Sequence, residues 1–130
     1  MMTSFTFQVL PEVYAVCKLP PESPIPQWAS GASGFLSITK TQTELSIVCQ
    51  QASVPTGIET SSDWRVLGIV GMLDFSMVGV LSAISGLLAS QSISIFVIST
   101  FDTDYIMVKQ SHLSAAMEVL RLAGHTIQGV

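Results

Sequence analysis

The 130-residue sequence predicts an α+β fold of two βαββαβ halves, the first reduced, with mainly antiparallel sheets and helices on one face. Three observations predict it. Between residues 64 and 129, short β-branched runs alternate with stretches of helical period in the order strand, helix, strand, strand, helix, strand. A shift of sixty residues lays 38–50 over 98–110, so that Ile38 falls on Ile98, Thr43 on Thr103 and Gln50 on Gln110. Four prolines, Pro20, Pro21, Pro24 and Pro26, stand where the first half should hold a helix, and each removes an amide and crowds the preceding turn.

The second half is the more regular. The run WRVLGIVG (64–71), set between SSD and a glycine, reads as a buried strand. A turn over 72–75 follows, and the Ser76 hydroxyl is placed to cap a helix over 77–89. Its stripe is Val78, Leu81, Ser85 and Leu88, beside a small-residue face of Gly79, Ala83 and Gly86. The alternation of SISIFVIS predicts a strand over 92–99, then a turn over 100–103 and a strand over 104–109. Ser111 is the expected cap of a second helix with the stripe Leu113, Met117 and Leu120, ended by Gly124, and a short strand over 125–129 closes the half. Such a unit makes the ferredoxin-like arrangement, four strands backed by two helices.

In the first half, strands are expected over 5–9 and 13–19, a short turn at 25–29, and a strand, tight turn and strand over 38–50. The stretch QASVPTGIETSSD (51–63) reads as a loop and as the boundary between halves 1–60 and 61–130.

Composition narrows the function. Hydrophobic residues make up 48% and charged residues 11%, against a usual charged share of about 25%, so a disordered tail is excluded. Net charge is −4, and the five basic residues are scattered, which leaves no basic stripe for nucleic acid. Mean hydropathy is +0.57, and 75–101 carries no charge, long enough to span a bilayer. The SQS cluster in that stretch and its change of period argue against a membrane helix. The start MMTSFTFQVLPEVY has no basic opening or long apolar centre, so a cytoplasmic rather than secreted protein is expected. Cys17 and Cys49 alternate with Val and Ile as buried strand residues do; reduced core thiols are expected, with a disulfide as the alternative, and no CxxC points to zinc.

Few residues carry a catalytic signature. Asp102 and Asp104 form a DxD that suits a divalent metal, an ammonium group or an ordinary turn. His112 falls in a first helical turn, and His125 sits past the closing glycine, where a cation suits the helix dipole. No G-x-S-x-G elbow, dinucleotide fingerprint or phosphate loop occurs. Trp28 and Trp64 suit packing at strand or loop ends, or stacking on a ligand. The segment LDFSMVG (73–79) joins a buried strand to a helix whose first amides favour an anion. The acidic turn at 100–104 is expected at the same end of the sheet, and together the two offer donors for a carboxylate and acids for an ammonium, the chemistry of a zwitterion.

With those residues in view, the run 64–110, above all LDFSMVG, the ISIF strand and STFDTDYI, resembles the ACT domain, the amino-acid-binding regulatory module of metabolic enzymes. Within it the chain looks like small stand-alone bacterial proteins with two ACT-like halves, related to the arginine-sensing CASTOR proteins of animals; EVYAVCKL and ELSIVCQ carry the likeness in the first half. The resemblance implies two ACT-type halves and a non-catalytic, cytoplasmic regulatory protein that needs no metal or cofactor, binds an amino acid or similar zwitterion, and forms a homo-oligomer such as a dimer. Carried over, the ligand set is Asp74, Phe75, Met77, Gly79 and Val80 with Thr100, Phe101, Thr103 and Asp104. Where the family has an acid and then a Pro-Gly pair in that loop, Ser76 and Val78 stand in place of the acid and the proline. The alternatives are an association module without ligand and a small enzyme using Asp102 and Asp104 with a metal.

Overall fold

A computed structural model describes residues 4–31, 33–73 and 78–129. The chain divides into two compact units, one of Met1–Pro11 with Arg65–Val130 and one of Glu12–Trp64.

In the first of these units the sheet runs in the order β6 (Phe96–Ser99), β7 (Asp104–Lys109), β5 (Glu59–Ile69), β1 (Thr6–Val9), β8 (Thr126–Gln128). Alternate residues of the strands, Phe7, Val9, Leu67, Ile69, Ile106 and Val108, make one apolar face. That face packs against Ile84 and Leu88 of α2 (Val80–Ser90) and Leu113, Ala116 and Leu120 of α3 (Leu113–Leu122). The helices therefore lie on one face, as expected. Gln8, Gly68 and Tyr105 alternate with core residues and belong to the opposite face. The sheet has five strands where four were expected, because β1 inserts between β5 and β8. It pairs antiparallel with β5, Phe7 opposite Ile69, and parallel with β8, Phe7 opposite Ile127.

Three boundaries differ from the sequence expectation. Helix α2 starts at Val80, not 77, behind Gly79 in the left-handed region (φ 80°); Ser76, the expected cap, lies outside the described residues. After α2, the amides of Ser92 and Ile93 fold back onto the carbonyls of Ala89 (2.9 Å) and Leu88 (3.1 Å), with Ser92 at φ 57°. That closure withholds residues 92–95 from the strand, so β6 begins at Phe96. A 3₁₀ turn, Gln110–His112, precedes α3, so Ser111 lies in that turn and does not cap the helix. Gly124 ends α3 as expected: at φ 99° its amide bonds Arg121 O (2.9 Å), and the His125 amide bonds Leu120 O (3.1 Å).

His125 is not the cation that its place past the helix end suggested. It is 5% exposed; its Nδ1 accepts the Phe5 amide at 2.9 Å, and its ring stacks on Phe5 and meets Phe7 edge-on. Burial lowers its pKa below the ordinary 6.5. As pH falls through about 6.5, the unfolded chain takes up this proton first. The resulting stability is complete above that pH and is lost on acidification. The melting temperature is expected to fall between pH 7.5 and 5.5, and His125→Asn, whose Oδ1 can accept the same amide without titrating, is expected to flatten that dependence. A wild-type slope retained in the variant would contradict this assignment.

The Glu12–Trp64 unit has the sheet order β3 (Ser37–Lys40), β4 (Leu45–Gln50), β2 (Tyr14–Leu19), β5, the last through Glu59–Trp64. Its core gathers Ala15, Cys17, Ala29, Leu45, Ile47 and Cys49, with Trp28 packed against them. The first helix of a full unit is reduced to α1 (Gln27–Ser30), and the second to a 3₁₀ turn, Gln51–Ser53. The expected loop over 51–63 is shorter than read, because β5 already starts at Glu59 and pairs with β2. One extra residue bulges from β5 between the pairs Tyr14–Trp64 and Val16–Ser61. Asp63 lies there at φ 66°, held by Gln51, which accepts its amide at 2.6 Å and donates to its carboxylate at 3.1 Å.

Cys17 and Cys49 are free and buried. They are diagonal neighbours, since Cys17 stands opposite Ile47 and Cys49 opposite Ala15. Burial raises both thiols, Cys49 to about 11, so neither is a thiolate at neutral pH. Neither thiol is expected to react with Ellman's reagent in native protein at pH 8, and both in denaturant without reductant. Failure to react in denaturant would show a disulfide.

Candidate functional site

The site is built around the β6–β7 turn. Ser99 stands opposite Asp104 in the ladder, leaving residues 100–103 to reverse the chain. The Thr100 hydroxyl accepts the Thr103 amide at 3.2 Å and donates to the Thr103 carbonyl at 3.1 Å, while the Thr100 amide bonds that carbonyl at 2.8 Å. The Thr103 hydroxyl reaches back into the sheet and donates to Ile69 O at 2.9 Å. Thr100 closes the turn and Thr103 holds it onto the end of β5, a structural use of residues expected to line a ligand site.

The chain leaving β5 meets this turn directly. The Leu73 amide donates to Asp102 O at 2.7 Å. A cleft of about 450 Å³ opens where they join, within the span of about 300–1,000 Å³ that small-molecule sites occupy. Its rim is Val70, Gly71, Met72, Thr100, Asp102 and Thr103. Its floor includes Gln8, Gly68 and Tyr105, from three neighbouring strands. Gly68 makes the floor possible, since a Cβ there would come within 2.8 Å of the Tyr105 ring.

Of the expected ligand residues, Thr100 and Thr103 line this cleft. Asp104 is the first residue of β7, and its carboxylate accepts the Ser99 hydroxyl at 2.5 Å. Phe101 is 76% exposed at the turn. Gly79 and Val80 form the start of α2. Asp74, Phe75 and Met77 lie outside the described residues. The sequence did not place Gln8, Gly68, Met72 or Tyr105 here, and Asp102, weighed as half of a DxD and within the acidic turn 100–104, was left out of the expected ligand set. Only Gly68, a glycine inside a strand, carried a signal, of close approach by another group.

Asp102 is the only Asp, Glu, Lys, Arg or His among the described residues lining the cleft. Its charge suits an ammonium group. Among the described residues, no three His, Cys, Asp or Glu side chains group to hold a metal, and no helix is long and apolar enough to cross a membrane. Trp64 is a packing residue, 8% exposed, whose indole donates to the Ser61 hydroxyl at 3.0 Å.

A family model described as the ACT domain matches residues 59–121, and a second, of an N-terminal domain, matches 12–57. The chain is 31% identical over 112 residues to the cytosolic arginine sensor for mTORC1 subunit 1 of Bos taurus, a match covering 76% of this chain and 34% of that protein. It thus spans about a third of the length of that relative. The crystal structure of protein Atu0741 from Agobacterium tumefaciens is 31% identical, with a TM-score of 0.93 over 99% of this chain and 96% of that one. The regulatory subunit of aspartate kinase from Thermus thermophilus shares the fold at 13% identity, with a TM-score of 0.62 over 89% of this chain and 97% of that one. The chain carries an ACT domain over residues 59–121 and belongs to one family with the Agobacterium tumefaciens protein.

Proposed function

We propose that this is a non-catalytic regulatory protein of the cytoplasm that binds a free amino acid beside the β6–β7 turn. The bond from Leu73 to Asp102 carries the reading, because it joins the loop entering α2 to the acidic turn at the mouth of one cleft. The ligand's ammonium group pairs with Asp102, and its carboxylate meets the first amides of α2 behind Gly79. Thr100 and Thr103 shape the wall, their hydroxyls being committed to the turn and to Ile69 O of β5. In this reading Phe101, Asp104, Gly79 and Val80, with Asp74, Phe75 and Met77, belong to the ligand set. A single acid and no base in the described lining favour a ligand with no second negative charge. The Bos taurus relative is named as an arginine sensor, which agrees with that preference.

A panel of the common amino acids tests this by thermal shift. A true ligand at about 100 times its dissociation constant stabilises by roughly 2.7 kcal/mol, a rise of several degrees. No shift with any of them would overturn the reading. A second reading rests on the apolar residues at this end: Val70, Met72, Val78 and Phe101 are exposed, Val78 at 92%. They favour association with another chain, such as a homodimer. Light scattering separates the two, since an association module assembles without ligand and ignores one.

A further inference from the structure

The Glu12–Trp64 unit holds a counterpart of this cleft. Its β3–β4 turn, residues 41–44, is closed as the β6–β7 turn is. The Thr41 amide bonds Glu44 O at 2.9 Å, its hydroxyl donates to the same oxygen at 3.4 Å, and the Glu44 amide donates back to that hydroxyl at 3.1 Å. Thr41 thus corresponds to Thr100, and Glu44 to Thr103. The offset is fifty-nine residues, and it also carries β3 onto β6, β4 onto β7, and one 3₁₀ turn onto the other. The sequence match of sixty was one residue out of register with the hydrogen bonds.

At the same junction, where the chain leaving the first strand of the unit meets this turn, lies an open cleft of about 530 Å³. It is lined by Pro21, Glu22, Lys40, Thr41 and Gln42. Pro21 and Glu22 are the central residues of a turn closed by the Ser23 amide on Pro20 O at 3.1 Å, and proline at the first of those places stiffens it. Lys40 ends β3, beside the threonine-locked turn. A carboxylate and an ammonium are thereby displayed across one cleft, from a constrained turn and from the end of a paired strand, which lowers the ordering cost of binding.

We propose that this cleft is a second binding site, for a small zwitterion, with Lys40 taking the carboxylate and Glu22 the ammonium. The ligand class rests in part on the reading given above for the cleft at Asp102; the place and the two charges are this unit's own. The cleft is open and Glu22 and Lys40 are solvent-exposed, so millimolar affinity is expected.

The test is amide chemical-shift mapping of the full ¹⁵N-labelled chain, titrated with glycine, leucine, glutamate and arginine, and with acetate and methylammonium as single-charge controls. Saturable shifts at Glu22, Lys40, Thr41 and Gln42 with at least one amino acid are expected, roughly ten-fold weaker with either control. Glu22→Gln and Lys40→Met should each weaken them by a similar factor and leave shifts at Asp102 unchanged. Saturation confined to residues 100–103 overturns the second site alone. Shifts at Glu22 and Lys40 that acetate or methylammonium reproduces at equal strength also overturn it. No saturable shift in either unit overturns both sites.

Discussion

Phe7→Ala is expected to destabilise the chain by about 3–5 kcal/mol, lowering the melting temperature by roughly 10–20 °C. Phe7 is fully buried on the fourth strand of a five-stranded sheet, between Ile69 of β5 and Ile127 of β8, with its ring against His125. Truncation removes a large apolar side chain and leaves a cavity that two paired strands cannot collapse around. Native-state hydrogen exchange locates the damage. Protection should fall at Leu67, Ile69 and Ile127 and persist at Ile47 and Val48 of β4. Loss centred on β4 would contradict the placement of β1.

Thr103→Val keeps shape and volume and removes one hydroxyl, and about 1–3 kcal/mol of stability is expected to go with it. That hydroxyl is 2.9 Å from Ile69 O in a residue 9% exposed. The same bond ties the turn to the strand exit that borders the cleft. Amino-acid affinity should therefore fall although no ligand contact is removed. Thr103→Ser, which keeps the hydroxyl, should recover most of both. A loss in Thr103→Ser as large as that in Thr103→Val, or a Thr103→Val protein as stable as the wild type, would contradict this account.

The sequence disclosed local order well. Strand β7 begins and ends where its alternation does, at Asp104 and Lys109, and Gly124 closes α3 because the left-handed closure needs a residue free of a Cβ. It did not disclose partners. Residues 5–9 read as a strand, but alternation names the buried face and not the neighbour, and the partners of β1 lie far along the chain. The segment Glu59–Asp63 escaped because its residues are polar and largely exposed, which leaves no period to read. The repeat was visible as residue identities, and those align one place away from the hydrogen bonds that define the hairpins.

The site was legible in part for the same reason. Thr100 and Thr103 stand in a continuous acidic turn that composition marks out. Gln8, Gly68 and Tyr105 come from three strands, and only the pairing of β1 with β5 and of β5 with β7 assembles them.

Asp102→Asn tests the central claim most directly. The substitution keeps size, and the main-chain oxygen that receives the Leu73 amide is untouched, so the unliganded melting temperature should stay within about 1 °C. Calorimetric titration with the most stabilising amino acid of the panel should show affinity reduced roughly ten-fold or more, the loss of one charge-assisted contact. Affinity equal to that of the wild type would show that the ligand's ammonium group does not sit beside the β6–β7 turn, and would contradict the account.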